Sequence, residues 1–169
     1  FFLFLRRELS LKRIFWYGSL FGTITIAGTI VWFLGTYPLE WAGVENRFFA
    51  TAVVSSVWMG TAAFLGVFFG LFALIVKRLS RGDSRDIIIV SSLWILMEFA
   101  RAFALSFVFL GAQSSLGPDW IFGFFGYSLG WSHLFAYLAP LGGVYLVSFV
   151  GVITLVVRPQ LLQRILFAL

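Results

Sequence analysis

The chain has 169 residues, of which 61% are hydrophobic, 20% aromatic and only 11% charged, with a mean hydropathy of +1.00. Soluble domains carry roughly 25% charged residues, so this composition excludes an ordinary water-soluble domain. The net charge of +5 does not point to nucleic acid, because the basic residues lie in short clusters between apolar runs, as membrane orientation signals do.

Residue types narrow the chemistry further. The chain contains no Cys, which rules out disulfides, thiolate-ligated zinc and a cysteine nucleophile within it. His133 is the lone histidine and cannot build a multi-histidine metal site, so no metal or other cofactor is expected. "FFLFL" at the start and "ILFAL" at the end each read as part of an apolar span. The sequence is therefore expected to be a piece of a longer protein.

A helix needs about 20 apolar residues to cross the hydrocarbon core. Four stretches qualify, at about 14–37, 48–76, 87–107 and 140–157, with partial spans at 1–5 and 161–169. They are continuously apolar rather than alternating, which favours helices over a β-barrel. The expected fold is an all-α integral membrane bundle, one transmembrane domain over residues 1–169. "RRELSLKR" before the first span does not make a secretory signal, because the span exceeds an h-region and no small-x-small cleavage site follows it.

Within the first and second spans, Gly18 and Gly22, then Gly66 and Gly70, form small-xxx-small patterns. Such patterns let helix backbones approach closely. Packing inside one bundle is the simpler reading than a dedicated dimer interface.

Charge sets the orientation. Arg6, Arg7, Lys12 and Arg13 precede the first span, Lys77, Arg78, Arg81 and Arg85 separate the second and third, and Arg158 and Arg164 follow the fourth. With alternating spans, these ten of the twelve basic residues share one side, which the positive-inside rule makes cytoplasmic. Loops 38–47 and 108–139 then face outward, and a span starting near Leu161 would carry the chain outward again.

The third span holds the strongest polar pair, Glu98 and Arg101, on one face with Trp94 at i−4 from Glu98. At about 1.5 Å per residue, Glu98 lies past the midplane toward the outer leaflet. Charges at that depth are costly, and they are usually paired or functional. Two readings stay open: an ion pair that locks the helix into the bundle while Arg101 snorkels outward, or a role on a lipid path. The loop after it is aromatic and poor in charge, suited to the membrane interface or to the wall of a lipid cavity. "GYSLG", Gly126 to Gly130, matches G-x-S-x-G. No strand pattern precedes Ser128, and His133, five residues on, and Asp119, nine before, do not by their closeness alone supply the positioned base and orienting acid that a serine nucleophile needs. A turn or re-entrant segment is the preferred reading.

Four stretches in order resemble the apolipoprotein N-acyltransferases. These are "SLKRIFWYGSLFGTITIAGTIVWFLGTYPLEWAG"; "LWILMEFARAF" with Trp94, Glu98 and Arg101; "FGFFGYSLG" with Gly126, Tyr127 and Ser128; and "LAPLGGVYLVSF" with Gly142, Gly143, Tyr145 and Ser148. The resemblance implies an eight-helix bundle in a bacterial cytoplasmic (inner) membrane, holding a nitrilase-like domain outside. It implies transfer of an acyl chain from a phospholipid to a cysteine thioester, then to the N-terminal diacylglyceryl-cysteine of a lipoprotein. The implied partners are the phospholipid donor, the lipoprotein acceptor and the bilayer, with no nucleic acid. The family's Glu–Lys–Cys set has no counterpart here, since the chain lacks Cys and its outward loops lack Lys. No catalytic residue is carried over. Trp94, Glu98, Arg101, Tyr127, Ser128 and Tyr145 remain candidates for a lipid path or for locking the bundle.

Two alternatives belong to other classes. A polytopic transporter or permease would show internal repeats or broken helices in matching positions, and no convincing repeat is visible. An intramembrane serine hydrolase would depend on Ser128.

Overall fold

A computed structural model describes residues 9–108, 117 and 121–168. The described residues are helical and contain no strand. Helix α1 spans Leu11–Thr29, α2 Arg47–Leu79, α3 Arg85–Val108, α4 Phe125–Leu129, α5 His133–Ala136 and α6 Ala139–Ala168. Three of these contain stretches long and apolar enough to cross a membrane: Arg47–Leu79, Arg85–Ser106 and Ala139–Val157.

The first expected span, 14–37, divides. Ser10 caps α1 by accepting the Arg13 N–H at 3.4 Å, and the α-helix stops at Thr29. The chain then tightens into a 3₁₀ turn over Val31–Thr36 and reaches extended Tyr37 before Pro38. A residue before proline is biased away from helix, so an apolar run that looked continuous carries two backbone geometries. The partial span at 1–5 and residues 109–116 and 118–120 of loop 108–139 lie outside the described residues.

Helix α2 begins at Asn46, whose side chain accepts the Phe49 N–H at 3.0 Å. It ends with Lys77 and Arg78 in its last turn, where cations suit the carbonyl end of the helix dipole. At about 1.5 Å per residue, its 33 residues outrun a bilayer core of about 30 Å. The turn into α3 is organised by two carboxylates. Asp86 accepts the Arg81 N–H at 3.0 Å and the Gly82 N–H at 2.8 Å, and Asp83 accepts the Arg85 N–H at 2.9 Å.

The two small-xxx-small patterns face each other. A Cβ on Gly18 would lie 3.0 Å from the Gly70 Cα, and one on Gly22 would lie 2.6 Å from the Phe69 ring. On the opposite helix, Gly66 abuts Thr23 and Gly70 abuts Ser19. Trp58 adds a tie by donating its indole N–H to the Ala27 carbonyl at 3.1 Å. These glycines therefore serve packing within the bundle. Ile14, Ile26, Leu65, Phe69, Phe72 and Val152 belong to the core that α3 and α6 complete. The outward surface is equally apolar, with Trp16, Ile24, Phe48 and Leu96 exposed, as expected where the surroundings are lipid. Three threonine hydroxyls on α1 turn to their own helix: Thr23, Thr25 and Thr29 donate to the carbonyls of Ser19, Phe21 and Thr25, each at 2.9 Å, whereas the buried Ser19 hydroxyl has no partner among the described residues.

Gly66→Ala should lower the thermal midpoint of the protein in detergent, with a destabilisation of roughly 1–3 kcal/mol from overpacking. Gly60→Ala, at a position with open space around it, should be neutral or slightly stabilising. Equal melts for the two variants would contradict the close α1–α2 contact.

Candidate functional site

The site forms where α3 meets the segment leading into α4. Trp94 and Glu98 sit one turn apart on α3, and the Trp94 indole N–H donates to Glu98 Oε1 at 3.0 Å. The same oxygen accepts the backbone N–H of Phe125 at 2.6 Å. The next amide, Gly126 N–H, donates to the Ser148 hydroxyl oxygen of α6 at 2.7 Å. The first amides of a helix have no intrahelical acceptor. Here two such amides at the start of α4 find theirs on two other helices.

Glycine makes this approach possible. A Cβ on Gly126 would lie 2.5 Å from the Val144 carbonyl, and one on Gly151 would run into Leu129 and Phe125. Within α6 the helical path breaks at Gly142 (φ −159°) and Gly143 (φ 62°, ψ −161°). The second of these is accessible mainly to glycine, so the regular helix starts at Val144.

Arg101, one turn beyond Glu98, does not hydrogen-bond to it. Its guanidinium carbon lies 5.7 Å from the Phe69 ring centre and 5.4 Å from that of Phe124. It is 1% exposed and so does not snorkel outward. Nε, Nη1 and Nη2 have no hydrogen-bond partner among the described residues, nor does Glu98 Oε2. Rings close the surroundings: Trp94 stands edge-on to Phe69, Phe72 and Phe125, at 5.7, 5.3 and 6.1 Å between centres. The Tyr145 ring packs 5.3 Å from Phe124, and its hydroxyl is buried without a partner among the described residues.

Beside this constellation lies an apolar cleft of about 910 Å³, with Phe21, Thr25 and Thr29 of α1 on one side. Phe69, Trp94, the segment from Ile121 to Phe125, and Val152 and Leu155 of α6 form the rest of its wall, with Tyr127 and Ser128 at its edge. The volume is that of a pocket for a drug-sized or larger ligand. The Ser128 hydroxyl donates to the Phe125 carbonyl at 2.7 Å, a bond within its own turn rather than to a base. Among the described residues no cluster of His, Asp and Glu could hold a metal.

The structure thus brings Trp94, Glu98, Arg101 and Tyr145 into one neighbourhood and leaves Tyr127 and Ser128 exposed beside it. Sequence reasoning paired Trp94 with Glu98 through helical spacing. It missed Phe69 and Phe124 as the ring faces on Arg101, and the Phe125 amide as the second donor to Glu98. The Gly-Tyr-Ser turn was the one available hint that a backbone amide there needed an acceptor.

Residues 1–157 match the family described as apolipoprotein N-acyltransferase N-terminal domain. An apolipoprotein N-acyltransferase of Gloeobacter violaceus is 31% identical over 83 residues, which is 49% of this chain and 16% of that protein. No solved structure matches.

Glu98→Ala should destabilise the protein by roughly 1–3 kcal/mol for each donor left without an acceptor. Glu98→Gln, which keeps a carbonyl oxygen, should cost less. Thermal melts of both variants check the order, and the reverse order would refute Oε1 as the shared acceptor.

Proposed function

The chain belongs to the apolipoprotein N-acyltransferase N-terminal domain family, and from that premise we propose that it is the membrane portion of such an enzyme. The parent protein moves an acyl chain from a phospholipid to the N-terminal diacylglyceryl-cysteine of a bacterial lipoprotein. In the first step a cysteine thiolate attacks the phospholipid ester, and a lysophospholipid leaves. In the second, the lipoprotein amine attacks the thioester and the thiol leaves. This chain has no Cys, so the nucleophile belongs to another part of the parent. The role assigned here is to receive lipid and to hold it in register with that part.

One observation carries the lipid reading: an apolar cleft walled by α1, α3, α6 and the Ile121–Phe125 segment. Glu98 takes the Trp94 and Phe125 N–H groups, which orients two rings of that wall. Trp94, Glu98, Arg101 and Tyr145 are assigned to shaping the wall, and Tyr127 and Ser128 to its outer lip. Residues 1–169 form one transmembrane domain in the cytoplasmic membrane. Helix α1 and the Val31–Thr36 turn together supply a fourth crossing. Loops 38–47 and 108–139 lie outside, in keeping with the basic residues gathered at 77–85.

Thr25→Trp places a bulky ring in the cleft from a position whose native hydroxyl serves only its own helix. Acyl transfer by the full-length protein should fall at least about tenfold while its melt is unchanged, because misplacing a substrate by about 1 Å can cost 10²-fold in rate. Full activity in a folded Thr25→Trp protein would refute the cleft as the lipid path.

Topology is tested separately. A cysteine at Glu45 should react with a membrane-impermeant maleimide added to intact cells, over the background of the protein without it. A cysteine at Asp83 should react only after permeabilisation. The opposite pattern would invert the proposed orientation.

A further inference from the structure

Arg101 holds the largest unmet hydrogen-bonding capacity among the described side chains. A guanidinium carries five N–H donors and cannot be neutralised in a protein. All three nitrogens are without an acceptor among the described residues, at 1% exposure. The Phe69 and Phe124 faces attract the cation but offer no lone pair to its N–H groups. The neighbouring carboxylate, Glu98, acts on it through charge but makes no hydrogen bond to it, its Oε1 being turned to Trp94 and Phe125. A buried charge in this state is costly unless an anion meets it.

Its position says where that anion would come from. Phe69, Gly123 and Phe124 all line the cleft, and all three adjoin Arg101. A Cβ on Gly123 would lie 3.4 Å from Arg101 Nη1 and 3.2 Å from Ile26 Cδ1. At that point one residue without a side chain separates the guanidinium from the cleft. Gly123 also has φ 70°, a backbone setting that would strain any residue with a Cβ.

We propose that Arg101 is the anion-binding group of the cleft and takes the phosphate of a lipid whose chain lies along the apolar wall. The guanidinium fork matches two phosphate oxygens at once, and a shift of the Gly123–Phe124 backbone opens the way to it. The proposal rests on lipid occupancy of the cleft, and binding is therefore read apart from acyl transfer.

The full-length protein, purified in dodecyl maltoside, is titrated with dodecyl phosphate or with inorganic phosphate. Thermal shift and ³¹P line width are followed. The neutral detergent supplies a constant competing chain. Dodecyl phosphate should raise the melting temperature and broaden its ³¹P signal, with affinity reduced at least about tenfold in Arg101→Met and only partly in Arg101→Lys. Weak binding of inorganic phosphate would assign the site to lipid-borne phosphate. If inorganic phosphate binds as well as dodecyl phosphate and depends equally on Arg101, the phosphate site stands but its lipid specificity falls. No response of the wild-type protein to dodecyl phosphate overturns the proposal without any variant, as does an unchanged response in Arg101→Met. Should Arg101→Met fail to fold, Arg101→Lys and the wild-type comparison still decide. Loss of the proposal with acyl transfer and the Thr25→Trp effect intact would leave the functional reading standing.

Discussion

A single carboxylate oxygen organises the described structure around the cleft. Glu98 Oε1 accepts one N–H from its own helix, through Trp94, and one from the start of α4, through Phe125. A buried backbone N–H needs an acceptor within the protein. Without that acceptor, and without Ser148 for the neighbouring amide, two N–H groups at the start of α4 would be left unmet. The ring wall depends on the same bond, because Trp94 and Phe125 are held by its two donors.

A second condition lets the four long helices come together. Association in lipid draws little from the hydrophobic effect, so close van der Waals contact has to supply it. The glycine rows of α1 and α2 remove side chains where the backbones meet. Gly126 and Gly151 do the same where α4 meets α6. At these two contacts small residues stand where the backbones pass close to each other, while large rings pack beside them.

Much of this was legible in the sequence. Continuous apolar runs marked the helices, the glycine spacing marked close helix packing within the bundle though not which helices meet, and i,i+4 spacing joined Trp94 to Glu98. Other features were hidden for physical reasons. The change from α to 3₁₀ geometry after Thr29 leaves no mark in hydropathy, because Ile30 to Leu34 is as apolar as what precedes it. Glu98 and Arg101 share a helix face and act on each other through charge, yet the N–H groups on Glu98 Oε1 include one from another segment and the ring faces on Arg101 come from elsewhere. Phe125 lies 27 residues from Glu98 in sequence, and Phe69 lies on another helix. Such contacts follow from packing, not from local pattern. "LAPLGGVYLVSF" was read as a fingerprint, but the sharp break at Gly142 and Gly143 is a backbone property that composition does not display.

The hydroxyls along the cleft have a consequence for selectivity. Thr25 and Thr29 face the space, yet both donate to their own helix, and the rest of the wall is mostly hydrocarbon and ring. Such a surface distinguishes one apolar chain from another only by how it fits, and a single methylene in an apolar pocket is worth roughly 1–3 kcal/mol. With no hydrogen-bonding test along this stretch of wall to reject an imperfect guest, it is permissive toward apolar chains by construction. Under the proposed lipid occupancy, tails of differing length or saturation would still fill it.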